Sequence, residues 1–386
     1  MNRISGSSRD PACSRLAERN ALSRRVDCAV HRARTKSWLG TTAILATLFA
    51  AGSISAQDQS AISISREVRD VFERSAKAVV RIHGVDEHSD IYGTGFFVDP
   101  TGTLYTSYTV GGEADSFSIQ FGGKEYPARQ VVADLRSGIA ILKIDLVTPT
   151  LPIGTSQGLE VATPVVTIGY PLDLGKTPSF GLIAGFDRKY LGRYFSTTHL
   201  RVNLPTQRGE AGAPLLNLKG EVVGILVSSL ENNSSCYALP IDAAEKIRND
   251  FVRFGEVRHG WIGANVAEAK NAEEGSRAQI TEVMATTPAT ASGLRPGDIL
   301  LQVGRVKVHE PEDVLDASFF ITAGDVVPIT VIRNGAKCTF QIQAELHPAS
   351  KNLPMLTDGN QLPTAATLQK NRAIPLTLDA DVPHTP

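Results

Sequence analysis

The stretch RGEAGAPLLN, residues 208–217, has the outline of a loop built to attack a carbonyl. Gly209 and Gly212 flank a central residue, and Pro214 opens an apolar strand. A loop of this shape presents a hydroxyl nucleophile at its centre and aims backbone N–H groups at the oxyanion that forms. The central residue here is Ala211, whose methyl group cannot attack. A nucleophile would also need a base in hydrogen-bond reach and a carboxylate to orient that base. No histidine lies between His88 and His199, so the sequence places no base near the expected position. His199 itself reads as an ordinary strand residue, and Thr206, Ser228 and Ser229 as ordinary hydrogen-bonding hydroxyls. The N–H groups of Gly209 and Ala211 are backbone donors, so they outlast any change of side chain and remain candidates to hold a carbonyl or carboxylate. Glu210 stands between them and bears on whether that notch keeps its shape.

Other chemistries find little support. GYPLDLGKT (169–177) has five residues between its glycines where a phosphate-binding loop has four. His83 and His88 have no third clustered ligand, and no C-x-x-C spacing exists, so no metal and no cofactor is expected. Cys236 and Cys338 read as two separate thiols. The formal net charge is -1, with no basic block beyond the first 36 residues, which argues against nucleic acid as a partner.

The elements that must carry these residues are mostly strands. Residues 62–77 read as an amphipathic helix with Val68, Val71 and Phe72 on one side. From Ala78 onward short β-branched runs alternate with turn residues such as Asp99-Pro100-Thr101-Gly102 and Gly122-Gly123. TLYTSYTV (103–110) is read as one of these strands. Such strands at this spacing predict a sandwich or barrel. Residues 241–255 read as a helix capped by Asp242 and closed by Gly255. A second unit begins at Gly260, with strands, a hairpin at Asn334-Gly335, and helices at 288–293 and 311–320. After His347 the chain is rich in Pro, Thr and Ala without periodicity and reads as a flexible tail.

The order of local patterns resembles the HtrA (Do-like) serine proteases. GTGFFVDPTGTLYTSYTV (93–110), VVADLRSGIAILKID (131–145), TIGYPLDLGKTPSFGLIAG (167–185), RGEAGAPLLNLKGEVVGI (208–225) and FGEVRHGWIGA (254–264) carry the resemblance. It implies a mainly β protein: a chymotrypsin/trypsin-like double β-barrel followed by a PDZ domain. The implied division is an N-terminal helical segment at 57–77, the double barrel at 78–257, the PDZ domain at 258–346 and a tail at 347–386. Matched residue by residue, the histidine position of the family is Thr109, the aspartate position Gly138 and the serine position Ala211. Ala213 also replaces a second glycine of the pattern. The resemblance therefore implies a degenerate triad and an inactive homologue. Two other readings stay open: an active endopeptidase with a non-standard nucleophile, and a structural subunit of a mixed oligomer. The PDZ resemblance implies a peptide groove at Trp261, Ile262, Gly263, Ala264 and Val266, with Val314 and Leu315 on the opposite wall. Its implied partners are unfolded polypeptides or protein C-termini. A homotrimer is implied as well, or a hetero-oligomer with active relatives. Phe72 and its apolar neighbours serve either that assembly or the core.

The first residues have the pattern of an export signal. Arg32, Arg34 and Lys36 precede WLGTTAILATLFAAG (38–52), and SISA ends at Ala56. A signal peptide at 1–56 and a periplasmic or secreted location are expected. The alternative is an uncleaved anchor in the inner membrane, the uncharged run from Ser37 to Gln57 being just long enough to span it.

Overall fold

The computed structural model describes residues 63–190, 193–230, 234–273 and 275–346. The stretches read above as an export signal and as a tail lie outside these residues. Helix α1 covers residues 63–75 and is followed by a 3-10 turn at Ala76–Ala78. Its apolar side meets the core as the periodicity predicts: Val71 is fully buried, and Val68 and Phe72 pack partly buried beside it.

Two closed six-stranded barrels follow. The first holds β1 (Val79–Val85), β2 (Asp90–Phe97), β3 (Thr103–Ser107), β4 (Ser116–Phe121), β5 (Lys124–Asp134) and β6 (Ile139–Lys143), in the order β1-β2-β3-β6-β5-β4. The second holds β7 (Pro164–Gly169), β8 (Thr177–Tyr190), β9 (Arg193–Asn203), β10 (Pro214–Leu216), β11 (Val222–Ser229) and β12 (Cys236–Pro240). Read around its circumference from β7, it runs β7-β8-β9-β12-β11-β10, the same winding as the first.

Alternation along the strands explains the layering. Val80 and Ile82 of β1 point into the first barrel, whereas Val79 joins a core shared between the barrels. In β6, Ile139 and Ile141 face that shared core and Leu142 faces inward, so both faces are covered and the strand reads as an unbroken apolar run. The segment 103–110 is not one strand. It leaves the sheet at Ser107 and closes a helical turn, α2 (Tyr108–Gly111), because the Tyr108 N–H bonds to the Gly138 carbonyl at 2.7 Å instead of a ladder partner.

Helix α3 (Ile241–Phe254) lies against the shared core through Ile241, Ala243, Ala244 and Ile247. It ends at Gly255 as expected, with φ 76°, but its N-cap is Pro240. Asp242 sits inside the first turn and is turned outward, accepting the Ser156 N–H at 2.7 Å. The last unit contains β13 (Gly260–Trp261), β14 (Ala264–Glu273), β15 (Ser276–Val283), α4 (Pro288–Ser292), β16 (Ile299–Val303), β17 (Val306–Lys307), α5 (Pro311–Phe319), β18 (Val326–Arg333), β19 (Ala336–Gln343) and β20 (Glu345–Leu346). Its sheet runs β14-β15-β16-β18-β19, and β13 pairs separately with β20.

Candidate functional site

The loop at 207–213 lies where the two barrels meet, and both glycines are obligatory. Gly209 has φ +98° and Gly212 φ +84°. A Cβ on Gly209 would collide with the Tyr170 carbonyl oxygen, and one on Gly212 with the Thr94 carbonyl and the Thr106 hydroxyl. Thr94 of β2, fully buried, ties the loop to the first barrel. Its N–H donates to the Ala211 carbonyl at 2.9 Å, and its hydroxyl donates to the Gly209 carbonyl at 2.7 Å. The Thr94 hydroxyl also accepts the Tyr170 N–H at 3.1 Å. The carbonyls are thereby consumed. Among the described residues, the Gly209 and Ala211 N–H groups have no acceptor.

Glu210 is turned under the loop and is 2% exposed. Its Oε2 accepts the Gln207 N–H at 2.7 Å, and its own N–H donates to the Gln207 carbonyl at 3.2 Å. Burial raises its pKa above the ordinary carboxylate value, more than the Gln207 bond lowers it. Thr206, next to this turn, keeps a buried hydroxyl without a partner among the described residues, contrary to the ordinary role the sequence suggested.

The three positions matched to a triad are drawn into one region. Thr109 stands exposed on α2, with its hydroxyl 2.9 Å from that of Ser107. Gly138 reaches α2 through the Tyr108 N–H, while its own N–H donates to the Asp134 carbonyl at 3.0 Å. Ala211 packs its methyl against the interior cluster of the first barrel. Gly138 has φ +79°, and a Cβ added there would meet only Val227, so the position has room for a side chain but a backbone that disfavours one.

The described histidines are placed elsewhere. His199, on β9, is buried, shares a hydrogen bond of 2.8 Å with the Thr197 carbonyl and stacks on Phe195. Its burial lowers its pKa. His83 bonds Asp90 at 3.2 Å on the outer face of the first barrel. His259 meets Asp134 at 2.9 Å in a buried contact between β5 and the start of the last unit. That pair was not found from the sequence, since the two residues are 125 positions apart and no local pattern joins them.

In the last unit, β14 forms one edge of its sheet, and α5 lies alongside. Gly263 has φ +81°, and a Cβ there would collide with Thr287. The carbonyl of Gly263 accepts the Met284 N–H and that of Ile262 accepts the Ala289 N–H, each at 2.9 Å. The N–H groups of Ile262 and Gly263 have no acceptor among the described residues. Ile262, Ala264, Val266 and Val314 pack partly buried against the core of this unit, and Leu315 is half-buried on α5. Trp261 is drawn into the β13–β20 pair, opposite Glu345.

Comparisons with known proteins match the double-barrel and PDZ architecture. A trypsin-like peptidase domain model matches residues 93–225, and a PDZ domain model matches residues 260–344. The serine endoprotease DegS of Salmonella typhimurium is 27% identical over 303 residues, covering 72% of this chain and 85% of the relative. A probable periplasmic serine endoprotease, DegP-like, of Halomonas elongata is 30% identical over 266 residues, covering 65% of this chain and 56% of the relative. The chain thus spans just over half the length of that DegP-like protein. Among solved structures, the HtrA-type protease AlgW with tripeptide has TM-score 0.64 at 23% identity, covering 73% of this chain and 97% of the other. A serine endoprotease from Yersinia pestis has TM-score 0.57 at 26% identity, covering 72% and 98%.

Proposed function

We propose, for a chain that carries an HtrA-like trypsin-fold domain followed by a PDZ domain, that it binds polypeptide and does not cut it. The observation that carries this reading is the set of residues converging beside the 207–213 loop. Thr109, Gly138 and Ala211 supply no base, no orienting carboxylate and no nucleophile. Loss of a triad in a serine protease of a different fold costs about 10⁶-fold in turnover, and the remainder of about 10³ to 10⁴ over water comes from oxyanion donors and binding. The Gly209 and Ala211 N–H groups fit that residual role.

Peptide binding needs none of these groups. An extended segment adds to the β14 edge, its terminal carboxylate meets the Ile262 and Gly263 N–H groups, and its last side chain enters the apolar wall of Ile262, Ala264, Val266, Val314 and Leu315. Unfolded polypeptides and protein C-termini are the partners this groove suits, in a quality-control role outside the cytoplasm. A periplasmic location follows the relatives and the N-terminal pattern. Assembly is as a trimer or with active relatives. Phe72 packs partly buried against the core, which supports a structural part for it.

The test is incubation of the full chain with unfolded casein, together with labelling by a fluorophosphonate. Unchanged casein and no adduct support the reading. Casein turnover abolished by changing one hydroxyl residue contradicts it.

A further inference from the structure

The groove between β14 and α5 has two chemically different ends. One end is the loop at 260–263: the Gly260 N–H bonds the Ile321 carbonyl at 2.9 Å, which places the C-terminal end of α5 beside it. The other end therefore lies where β14 runs on to Glu268 and where α5 begins at its N-cap, Glu310. Arg277 joins these two carboxylates, with Nη1 3.0 Å from Glu268 Oε1 and Nη2 3.2 Å from Glu310 Oε1. All three side chains are about half exposed or more, at 63% for Glu268, 51% for Arg277 and 49% for Glu310. Two carboxylates share one guanidinium, so this end carries a net negative charge. Glu312, in the first turn of α5, is held instead by Lys189, 3.8 Å away.

Register says which ligand residue meets this charge. Along a strand, alternate residues share a face. Ala264, Val266 and Glu268 are on one face of β14, the first two packed partly buried in the apolar wall and Glu268 exposed beyond them. An added strand whose last residue lies opposite Ala264 has the residue four places before it opposite Glu268. We infer that this groove selects polypeptide C-termini with a lysine or arginine four residues before the terminal apolar residue, read by the Glu268–Arg277–Glu310 cluster. This rests on the peptide-binding reading of the groove. It goes beyond it in naming the ligand class: apolar ends preceded by a cation.

The full chain is titrated into fluorescein-labelled decapeptides that end in valine and differ only in carrying Lys, Ala or Glu four places before it. Polarisation at low salt is expected to rank them Lys tighter than Ala and Ala tighter than Glu, with about fivefold between Lys and Glu, the size of an exposed ion-pair effect. The spread shrinks toward unity at high salt, as screening of exposed charges requires. Glu268→Lys reverses the order, read as the Lys-to-Glu ratio within that variant. If it does not fold, the wild-type ranking and its salt dependence decide alone. Equal affinities for the Lys and Glu peptides, or a preference for Glu, overturn the inference and leave the groove standing. Absence of binding by all three peptides removes the groove reading and the inference together.

Discussion

At the scale of single residues, restoring one group is not restoring a reaction. Ala211→Ser places a hydroxyl in the loop with the unpaired Gly209 N–H but gives it no base, so casein turnover is expected to stay at the buffer rate. Gly138→Asp is harder than its spacious surroundings suggest. With φ +79° the position costs a non-glycine residue about 1 kcal/mol, and thermal unfolding of the variant should fall by a few degrees. A rise would contradict the strain argument. The sequence revealed the absence of all three groups but not this backbone, because a glycine letter does not say which sign its φ takes. Glu210 offers a pH test. Burial raises its pKa, so the native state prefers the proton. Its favourable share is present below the ordinary carboxylate value and is lost as pH rises through the raised one. Glu210→Gln keeps an acceptor for the Gln207 N–H and removes the charge. Its melting temperature relative to the parent should therefore climb as pH rises from the ordinary carboxylate value, and a flat difference would contradict the account.

At the scale of elements, local pattern exposed most of the strands, the buried face of α1 and the extent of α3. It failed where a partner distant in sequence decides the local shape. The segment 103–110 has the β-branched composition of a strand, yet the Gly138 carbonyl takes the Tyr108 N–H and α2 forms. Asp242 has the chemistry of a cap, but Ser156 claims its carboxylate. In the long β8–β9 hairpin only the end of β9 around His199 was legible as strand; β8 was not, because its outward residues include Phe180, Leu182 and Phe186 and break the simple polar alternation. His259–Asp134 is the most consequential contact of this kind. Burial alone would raise the Asp134 pKa, but bonds from His259 and Ser137 outweigh it and hold the carboxyl below its ordinary value. Its stabilisation is thus present above the unfolded carboxylate value and lost as pH falls through the lower native one. Asp134→Ala should cost about 2 kcal/mol near neutral pH, the scale for hydrogen bonds to a charged group, and less in acid. Chemical denaturation at two pH values measures both, and equal losses would count against the pair.

At the scale of the whole molecule, α5 belongs to two structures at once. Ala317 packs in the core of the last unit, whereas Phe319 is buried in the core shared with the barrels. Asp316 accepts the Thr197 hydroxyl at 2.5 Å and the Thr198 N–H at 2.8 Å, and Asp313 meets Arg188 at 2.7 Å. The wall of the proposed peptide groove is thereby fastened to β8 and β9. Asp316→Ala should loosen this fastening by about 2 kcal/mol, the usual size for hydrogen bonds to a charged group. Hydrogen exchange should then quicken across 311–319 and not in the first barrel. Uniform quickening, or none, would show that α5 does not depend on the contact. None of these joints carries a sequence signature, since each links residues more than a hundred positions apart.

Native mass spectrometry of the full chain mixed with a decapeptide ending in valine tests binding without cutting most directly, because one spectrum reports both. The expected result is a complex with the mass of protein plus intact peptide, and that peptide undiminished after prolonged incubation. Peptide fragments, an acyl adduct on the protein, or no complex would contradict it.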